Sequence, residues 1–157
     1  MLLVVEGRHK LEGEIAVAGA KNAALPILAA TLLTSDECHL ENLPDIEDIR
    51  NMVALLRQLG ADVRVDGNRR VVARASALTS SAIPEELAVK MRGSFLTVGA
   101  LLGRLREASA PHPGGCAIGA RPVGVDLKGF QAMGTEISQG NGRYTLRAPS
   151  LKGGRIS

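Results

Sequence analysis

The chain has few aromatic residues and few cysteines. Its 157 residues include no Trp, one Tyr, two Phe and two Cys. So few aromatic rings argue against a surface that stacks the bases of RNA or single-stranded DNA. Cys38 and Cys116 are too few for a disulfide framework, so we expect free thiols in a reducing compartment.

The N-terminal residues also lack a long apolar run. The run at residues 2–5 ends at Glu6, which makes it too short for a signal peptide or a membrane span. We therefore expect a cytoplasmic protein that has no membrane partner.

Charge of one sign is not in large excess. The chain has 19 Lys and Arg against 16 Asp and Glu, and the acidic residues are spread throughout. No basic stripe for a phosphate backbone is visible, so we expect small anionic partners rather than nucleic acid. Hydrophobic residues make up 45% of the chain, which predicts an ordered domain with a core of aliphatic side chains.

The apolar pattern predicts a helix–strand–helix–hairpin unit in the first half of the chain. Asp45 is the expected cap of its second helix, and Gly60 is expected to end that helix. The expected strands are 2–5, 14–17 and 37–40, the helices are 21–33 and 46–59, and the hairpin strands are 62–65 and 70–74.

The same order recurs in the second half of the chain. A helix at 94–105, a strand at 107–110, a loop at 111–121, a second helix and a hairpin are expected in turn. Gly134 ends the second helix and follows Gly60 by 74 residues. This spacing predicts an α/β fold made of two copies of one unit, neither of which buries both of its faces alone.

A glycine-rich loop holds one of the two thiols. Its sequence is Pro113-Gly114-Gly115-Cys116-Ala117-Ile118-Gly119-Ala120-Arg121-Pro122. A nearby guanidinium favours the reactive thiolate, and proline suits the first turn of a helix, whose amides attract anions. On residue type alone, Cys116 is about equally well explained as a reactive group or as a small buried side chain.

Three segments together resemble one known family. They are Gly19-Ala20-Lys21-Asn22-Ala23-Ala24-Leu25-Pro26, Met91-Arg92-Gly93-Ser94 and the Cys116 loop. Over nearly the whole chain they resemble the UDP-N-acetylglucosamine 1-carboxyvinyltransferases, also called enolpyruvyl transferases. The Cys116 loop is the most specific of the three, because the related shikimate-pathway enolpyruvyl transferases share the repeat and lack this loop.

The resemblance implies an inverse α/β barrel of repeated helix–strand–helix–hairpin units, with helices inside and sheets outside. Residues 1–18 would form strands that belong to a second domain in the family. Residues 19–157 would form most of the first domain, with repeats at about 19–75 and 92–149. The family chain is more than twice as long, so we expect an N-terminal portion truncated at its C-terminus, without the C-terminal domain.

The reaction that the resemblance implies moves the enolpyruvyl group of phosphoenolpyruvate to the 3′-hydroxyl of UDP-N-acetylglucosamine. It is the first committed step of peptidoglycan synthesis, and it needs no cofactor or metal. It requires an acid at the methylene carbon, cations for phosphate and carboxylate, and a base for the hydroxyl. Cys116 matches the family's catalytic cysteine, which acts as the proton donor and also forms an adduct with phosphoenolpyruvate.

Six residues match the family's substrate contacts. Lys21 and Asn22 match the phosphoenolpyruvate contacts, Arg92 a UDP-sugar contact, Arg121 a residue between both substrates, and Pro122 and Val123 the uridine segment. Residue type alone leaves other roles open, because a lysine at a helix end can extend into solvent and an arginine can lie on a helix surface.

The chain departs from the family pattern after Val123. Gly124-Val125 replaces the usual Asp-Leu, whose aspartate helps to read uracil, and Asp126 follows two places later. His112 precedes Cys116 by four residues, but a partly exposed loop histidine is favoured over a catalytic dyad. His9, His39 and the cysteines lack the spacing of metal ligands, so no metal is expected.

Other catalytic groups of the family would lie beyond Ser157. They are a diphosphate-contacting loop, the aspartate implied as the base, and an arginine for phosphoenolpyruvate. We therefore expect little or no turnover from the chain alone. The alternative is a non-catalytic module that binds a UDP-sugar or a partner chain.

Overall fold

The computed structural model describes residues 2–112 and 122–154. Two 3₁₀ turns adjoin helices, with Thr31–Leu33 after the first helix and Arg92–Leu96 before the fourth. In chain order the other elements are α1 (Lys21–Ala30), β1 (Glu37–Leu40), α2 (Glu47–Gln58), β2 (Asp62–Asp66), β3 (Arg70–Arg74), α3 (Glu85–Ala88), α4 (Thr97–Leu105), β4 (Glu107–Pro111), α5 (Gly124–Ala132), β5 (Glu136–Gly140) and β6 (Arg143–Arg147).

The elements form two units of the same design. Each has a helix, a strand, a second helix and a hairpin, and each forms an antiparallel three-stranded sheet. The strand orders, β1-β3-β2 and β4-β6-β5, place the last strand of each unit in the centre. The predicted fold class, a mixed α/β arrangement of repeated units, is confirmed.

One hydrophobic cluster includes residues of both units. Helices α1, α2 and α4 supply fully inaccessible side chains to it, among them Leu28, Met52 and Leu101. Each sheet contributes one buried face to the cluster, through residues Val63, Val71, Ala73, Ala108, Ala110 and Leu146. Within the described ranges no helix is long and apolar enough to cross a membrane.

The side chain of Arg104 joins the two units by hydrogen bonds to backbone carbonyls. It lies on α4 of the second unit, and its two Nη atoms donate to the carbonyl oxygens of Leu32 (3.2 Å) and Ala75 (3.0 Å) in the first unit. Both acceptor residues are buried, so without these donors their carbonyls would be poorly solvated. A guanidinium with several fixed donors suits this double contact.

The segment between the units adds to the second sheet. Ala82 pairs with Ser109 of β4 in parallel, through the bonds Ile83 N–H to Ser109 O and Ser109 N–H to Ser81 O, both 2.8 Å. Arg143 of β6 reinforces this pairing, because its Nη2 donates to the Ile83 carbonyl (2.9 Å) and its Nε donates to Ser109 Oγ (3.1 Å).

The helices α2 and α5 end in the same way, as the repeat predicts. In the first unit, Gly60 N–H donates to Arg57 O and Ala61 N–H donates to Leu56 O. The equivalent bonds follow α5, at Gly134 and Thr135, and the glycine φ angles are +103° and +90°. This is a Schellman motif, which needs a residue that adopts positive φ without strain.

The strands expected at 2–5 and 14–17 are wrong. Residues 2–20 contain no strand, and the side chains at 2–5 are between 72% and 89% exposed. The sequence pattern there suits a strand, but no neighbouring strand pairs with it, and a lone strand leaves its backbone groups unpaired. The segment meets the fold near Gly19, whose N–H donates to the Asn42 carbonyl (3.0 Å).

The expected helix cap at Asp45 is also wrong. The N-cap of α2 is Ile46, and it makes no side-chain cap bond. Asp45 instead accepts hydrogen bonds from Arg50 Nε (3.1 Å) and Nη2 (2.6 Å). The Asp45 carboxylate therefore forms an ion pair with Arg50 on the surface and does not cap the helix.

The helix expected at 94–105 is a 3₁₀ turn followed by α4.

We predict that Arg104→Met lowers the free energy of unfolding by about 2 kcal/mol, because two buried carbonyls lose a charged donor while the aliphatic stem is kept. Urea denaturation followed by circular dichroism measures this change. Arg106→Met is the matched control, since the Arg106 side chain is exposed. Equal stability of the two variants would contradict the role of Arg104.

We predict that Gly60→Ala destabilises the protein more than Gly134→Ala. Both add a side chain at positive φ, which costs about 1–2 kcal/mol. At Gly60 the new Cβ would also lie 2.7 Å from the Thr79 backbone nitrogen, whereas at Gly134 the nearest atom is 3.4 Å away. Thermal unfolding of both variants tests the order, and a lower melting temperature for Gly134→Ala would contradict it.

Candidate functional site

The first two predicted site segments lie next to each other in the fold. Lys21 and Asn22 are the first residues of α1, and Arg92 begins the 3₁₀ turn that leads into α4. This turn packs on α1 at Gly93, where an added Cβ would lie 3.0 Å from Leu25 Cδ1. A residue without a side chain at position 93 therefore lets the two segments approach each other closely.

Arg92 also reaches the third segment. Its Nη2 donates to the Pro122 carbonyl over 3.4 Å and lies 3.7 Å from Asp126 Oδ2. The side chain is 34% exposed, so the guanidinium still meets solvent. Arg92 thus connects the turn before α4 to the start of α5. Cys116 and Arg121 lie outside the described residues.

Pro122 and Val123 differ in what they offer to a ligand. Pro122 is exposed, whereas Val123 is 3% exposed and forms the N-cap of α5. The Val123 side chain belongs to the core cluster, and its carbonyl accepts the Leu127 N–H at 3.0 Å. The Val123 side chain is therefore not placed to meet a ligand.

Lys21 has a partner that the sequence did not reveal. Its Nζ lies 2.8 Å from Asp48 Oδ2, in the first turn of α2, and the lysine side chain is 50% exposed. The only sequence signal for this partner was that Asp48 is an acidic residue in the first turn of a predicted helix, where the helix dipole favours a negative charge. The pairing of helices α1 and α2 was not predictable, and it decides this contact.

The N-terminus of α1 has unused backbone donors near Lys21. Its N-cap, Ala20, makes no side-chain cap bond, and the first turn contains no acidic residue. Exposed amides at a helix N-terminus together with an ammonium group form a site suited to a small anion. Asn22 is exposed at the same end and adds an amide that both donates and accepts.

His112 contacts the second hairpin. Its ring stacks on Tyr144 with centroids 4.4 Å apart, and its Nε2 lies 3.0 Å from Gln139 Nε2. Its backbone N–H donates to the Gly142 carbonyl at 2.9 Å. His112 is partly buried at the end of β4, and these contacts give its ring a packing role.

Within residues 2–112 and 122–154, Cys38 and the other potential ligands form no metal site. Cys38 is a free, half-buried thiol on β1, with its Sγ 3.9 Å from the Asp36 carbonyl oxygen. Among the residues that the structure describes, no group of three His, Cys, Asp or Glu side chains is placed to hold a metal ion.

Two curated relatives are similar over almost the entire chain. UDP-N-acetylglucosamine 1-carboxyvinyltransferase 1 of Carboxydothermus hydrogenoformans is 45% identical over 97% of this chain. UDP-N-acetylglucosamine 1-carboxyvinyltransferase of Saccharophagus degradans is 46% identical over 98% of it. The chain spans only 36% and 37% of the lengths of these two relatives.

Two solved structures share the fold. The enolpyruvyl transferase NikO from Streptomyces tendae matches 92% of this chain and 32% of its own, with a TM-score of 0.77 and 24% identity. EPSP synthase from Acinetobacter baumannii matches 90% of this chain and 33% of its own, with a TM-score of 0.64 and 18% identity. At these identities the likeness concerns the fold alone.

A protein-family model also matches almost the entire chain, as the two curated relatives do. The sequence model of EPSP synthase (3-phosphoshikimate 1-carboxyvinyltransferase) matches residues 5–157. The resemblance to UDP-N-acetylglucosamine 1-carboxyvinyltransferases that the three motifs indicated is confirmed by the two relatives. By sequence and by fold, this chain belongs to the EPSP synthase family.

Proposed function

We propose that this chain is part of a cytoplasmic UDP-N-acetylglucosamine 1-carboxyvinyltransferase of peptidoglycan synthesis. The reaction transfers the enolpyruvyl group of phosphoenolpyruvate to the 3′-hydroxyl of UDP-N-acetylglucosamine and releases phosphate. One observation supports this choice of substrate above the others: both relatives that bear this name match almost all of the chain.

The proposed chemistry is an addition followed by an elimination. A proton is added to the methylene carbon of phosphoenolpyruvate, and the sugar oxygen bonds to the adjacent carbon as the proposed base takes the hydroxyl proton. The carbon–oxygen bond to phosphate then breaks, and a proton leaves the methyl group to restore the double bond. Cys116 is the proposed proton donor for the first step, because it matches the catalytic cysteine of the family and its thiol carries a transferable proton.

Lys21 and Asn22 are the proposed contacts for phosphoenolpyruvate. The exposed ammonium group and the uncapped start of α1 suit a substrate with phosphate and carboxylate groups. Binding requires Lys21 to turn from Asp48 to the substrate or to contact both. Because the Lys21 side chain is 50% exposed and the Asp48 side chain 31%, water screens the pair and this exchange costs little.

Arg92, Arg121, Pro122 and Val123 are the proposed contacts for the UDP-sugar. The contact of Arg92 with the Pro122 carbonyl supports a shared role, since it brings a cation to the uridine segment. Gly124 and Val125 stand where the family has Asp-Leu, so uracil recognition in this chain is proposed to rely on backbone groups.

A non-catalytic module that binds a UDP-sugar is the second candidate. The observation that favours it is the altered uridine segment, in which Gly124-Val125 replaces the Asp-Leu of the family. The Asp126 carboxylate lies 3.7 Å from the Arg92 guanidinium and would oppose a diphosphate in both candidates.

In either case we propose that 1–18 belongs to a second domain, that 19–157 forms most of the first, and that the base for the hydroxyl lies beyond Ser157.

We predict that the purified 157-residue chain releases little phosphate from phosphoenolpyruvate and UDP-N-acetylglucosamine, because the proposed base is not among its residues. A coupled phosphate assay measures the rate, and Cys116→Ala is the control. Release that disappears in Cys116→Ala would contradict the proposal that the chain alone is inactive, and it would support the enzyme over the module.

We predict that Asp126→Asn binds UDP-N-acetylglucosamine two- to fivefold more tightly, because a carboxylate beside Arg92 is removed and a partly exposed charge pair is worth about 1 kcal/mol or less. Isothermal titration at low salt measures the dissociation constant. Asp62→Asn is the control, since Asp62 is exposed on β2. Weaker binding by Asp126→Asn would mean that Asp126 itself contacts the ligand.

A further inference from the structure

A groove of about 510 Å³ lies between α2 and the turn that joins β2 to β3. The segment 43–45 also lines it. The groove includes none of the residues assigned above to the candidate site. Its volume is within the range of small-molecule sites in proteins, which is about 300–1,000 Å³.

The floor of the groove is apolar. Leu43, Ile49, Val53 and Val71 line it, and each is less than 8% exposed. Val65 on the edge strand β2 is 55% exposed beside them. An apolar group that enters the groove would therefore cover a large aliphatic side chain that is now in contact with water.

The rim of the groove is positively charged. Four arginines and two aspartates line it, which leaves an excess of two positive charges. The carboxylate of Asp66 is committed to the turn, where its Oδ1 accepts the N–H groups of Asn68 (3.0 Å) and Arg70 (3.3 Å). The balance of charge at the rim suits an anion.

Three of the four arginines already have partners. Arg50 pairs with Asp45, Arg70 Nε lies 3.3 Å from Glu41 Oε1, and Arg57 donates twice to the Val63 carbonyl. Arg69 makes no side-chain hydrogen bond or ion pair with any residue that the structure describes. It is the arginine of the rim that can meet a ligand without losing another contact.

The backbone of Arg69 is unusual for an arginine. Its φ is +59°, at the third position of the three-residue turn 67–69. Glycine or asparagine is favoured there, and another side chain costs about 1–2 kcal/mol. The conformation is held in place because the Arg69 carbonyl accepts the Leu43 N–H at 2.9 Å, on the groove floor.

We propose that this groove binds a small amphipathic anion, with an apolar body on the aliphatic floor and a carboxylate, sulfonate or phosphate group on Arg69. Arg57, whose guanidinium is oriented by the Val63 carbonyl, lines the same groove and adds a second positive charge. The strained turn presents Arg69 at the rim. This site is independent of the proposed transferase reaction.

The test titrates the ¹⁵N-labelled chain with 2-naphthalenesulfonate and follows backbone amide shifts. We expect shifts centred on 43–53 and 65–71. Arg69→Gly should weaken binding at least fivefold and should not lower the melting temperature, because glycine relieves the positive φ. Arg106→Gly is the matched control, since Arg106 has a φ of +61° and lies outside the groove.

Three results would overturn the proposal. The first is unchanged affinity in Arg69→Gly, which would remove the role of its charge. The second is equal binding of the neutral 2-naphthalenemethanol, which would mean that the groove takes any apolar body. The third is a set of shifts centred on residues away from the groove, which would mean that the anion binds elsewhere.

Discussion

The contact between Arg104 and two backbone carbonyls of the first unit is the constraint on which the fold depends. Each unit has only a three-stranded sheet and short helices, so neither can enclose a core alone. The packing of α4 against α1 and the Thr31–Leu33 turn joins the two units, and Arg104 ties α4 to Leu32 and Ala75 of the first unit. The candidate site depends on the same packing, because the start of α1 and the turn before α4 meet at Gly93.

The arginines of this chain have different roles, and the net charge counts all of them alike. Arg57, Arg104 and Arg143 donate to backbone carbonyls and hold the fold together. Arg92 faces the start of α5 and partly meets solvent, whereas Arg69 stands on a strained turn at the groove rim. A mildly basic composition therefore overstates the number of cations that are available to anionic ligands.

Local patterns in the sequence were enough to predict much of the fold. The strand Glu37–Leu40 and both hairpins follow from alternation and turn residues, and the two glycine helix ends follow from the 74-residue repeat. The strands expected before Gly19 failed because a strand needs a neighbour that the pattern cannot supply. The Lys21–Asp48 pair and the positive φ of Arg69 were missed because tertiary packing decides them.

The candidate site also combines features that the sequence predicts with features that only tertiary packing decides. Motif resemblance proposed Lys21, Asn22, Arg92, Pro122 and Val123 as substrate contacts, but residue type did not say which of their atoms are accessible to a ligand. The buried Val123 side chain and the approach of Asp126 to Arg92 emerge only from the packing of α5. Cys116 and Arg121 keep the roles that the sequence suggested, as proposals.

The parallel pairing of Ser81–Ile83 with β4 has a practical meaning for dissecting the repeat. This segment stands between the units in sequence, yet it belongs to the second sheet through the hydrogen bonds at Ser109 and the guanidinium of Arg143. A gene fragment for the second unit that began at Arg92 would leave that strand edge bare and prone to intermolecular pairing. A fragment of the second unit should therefore begin upstream of Ser81. The boundary between the repeats lies before Ser81 and not at Arg92, where the turn that leads into α4 begins.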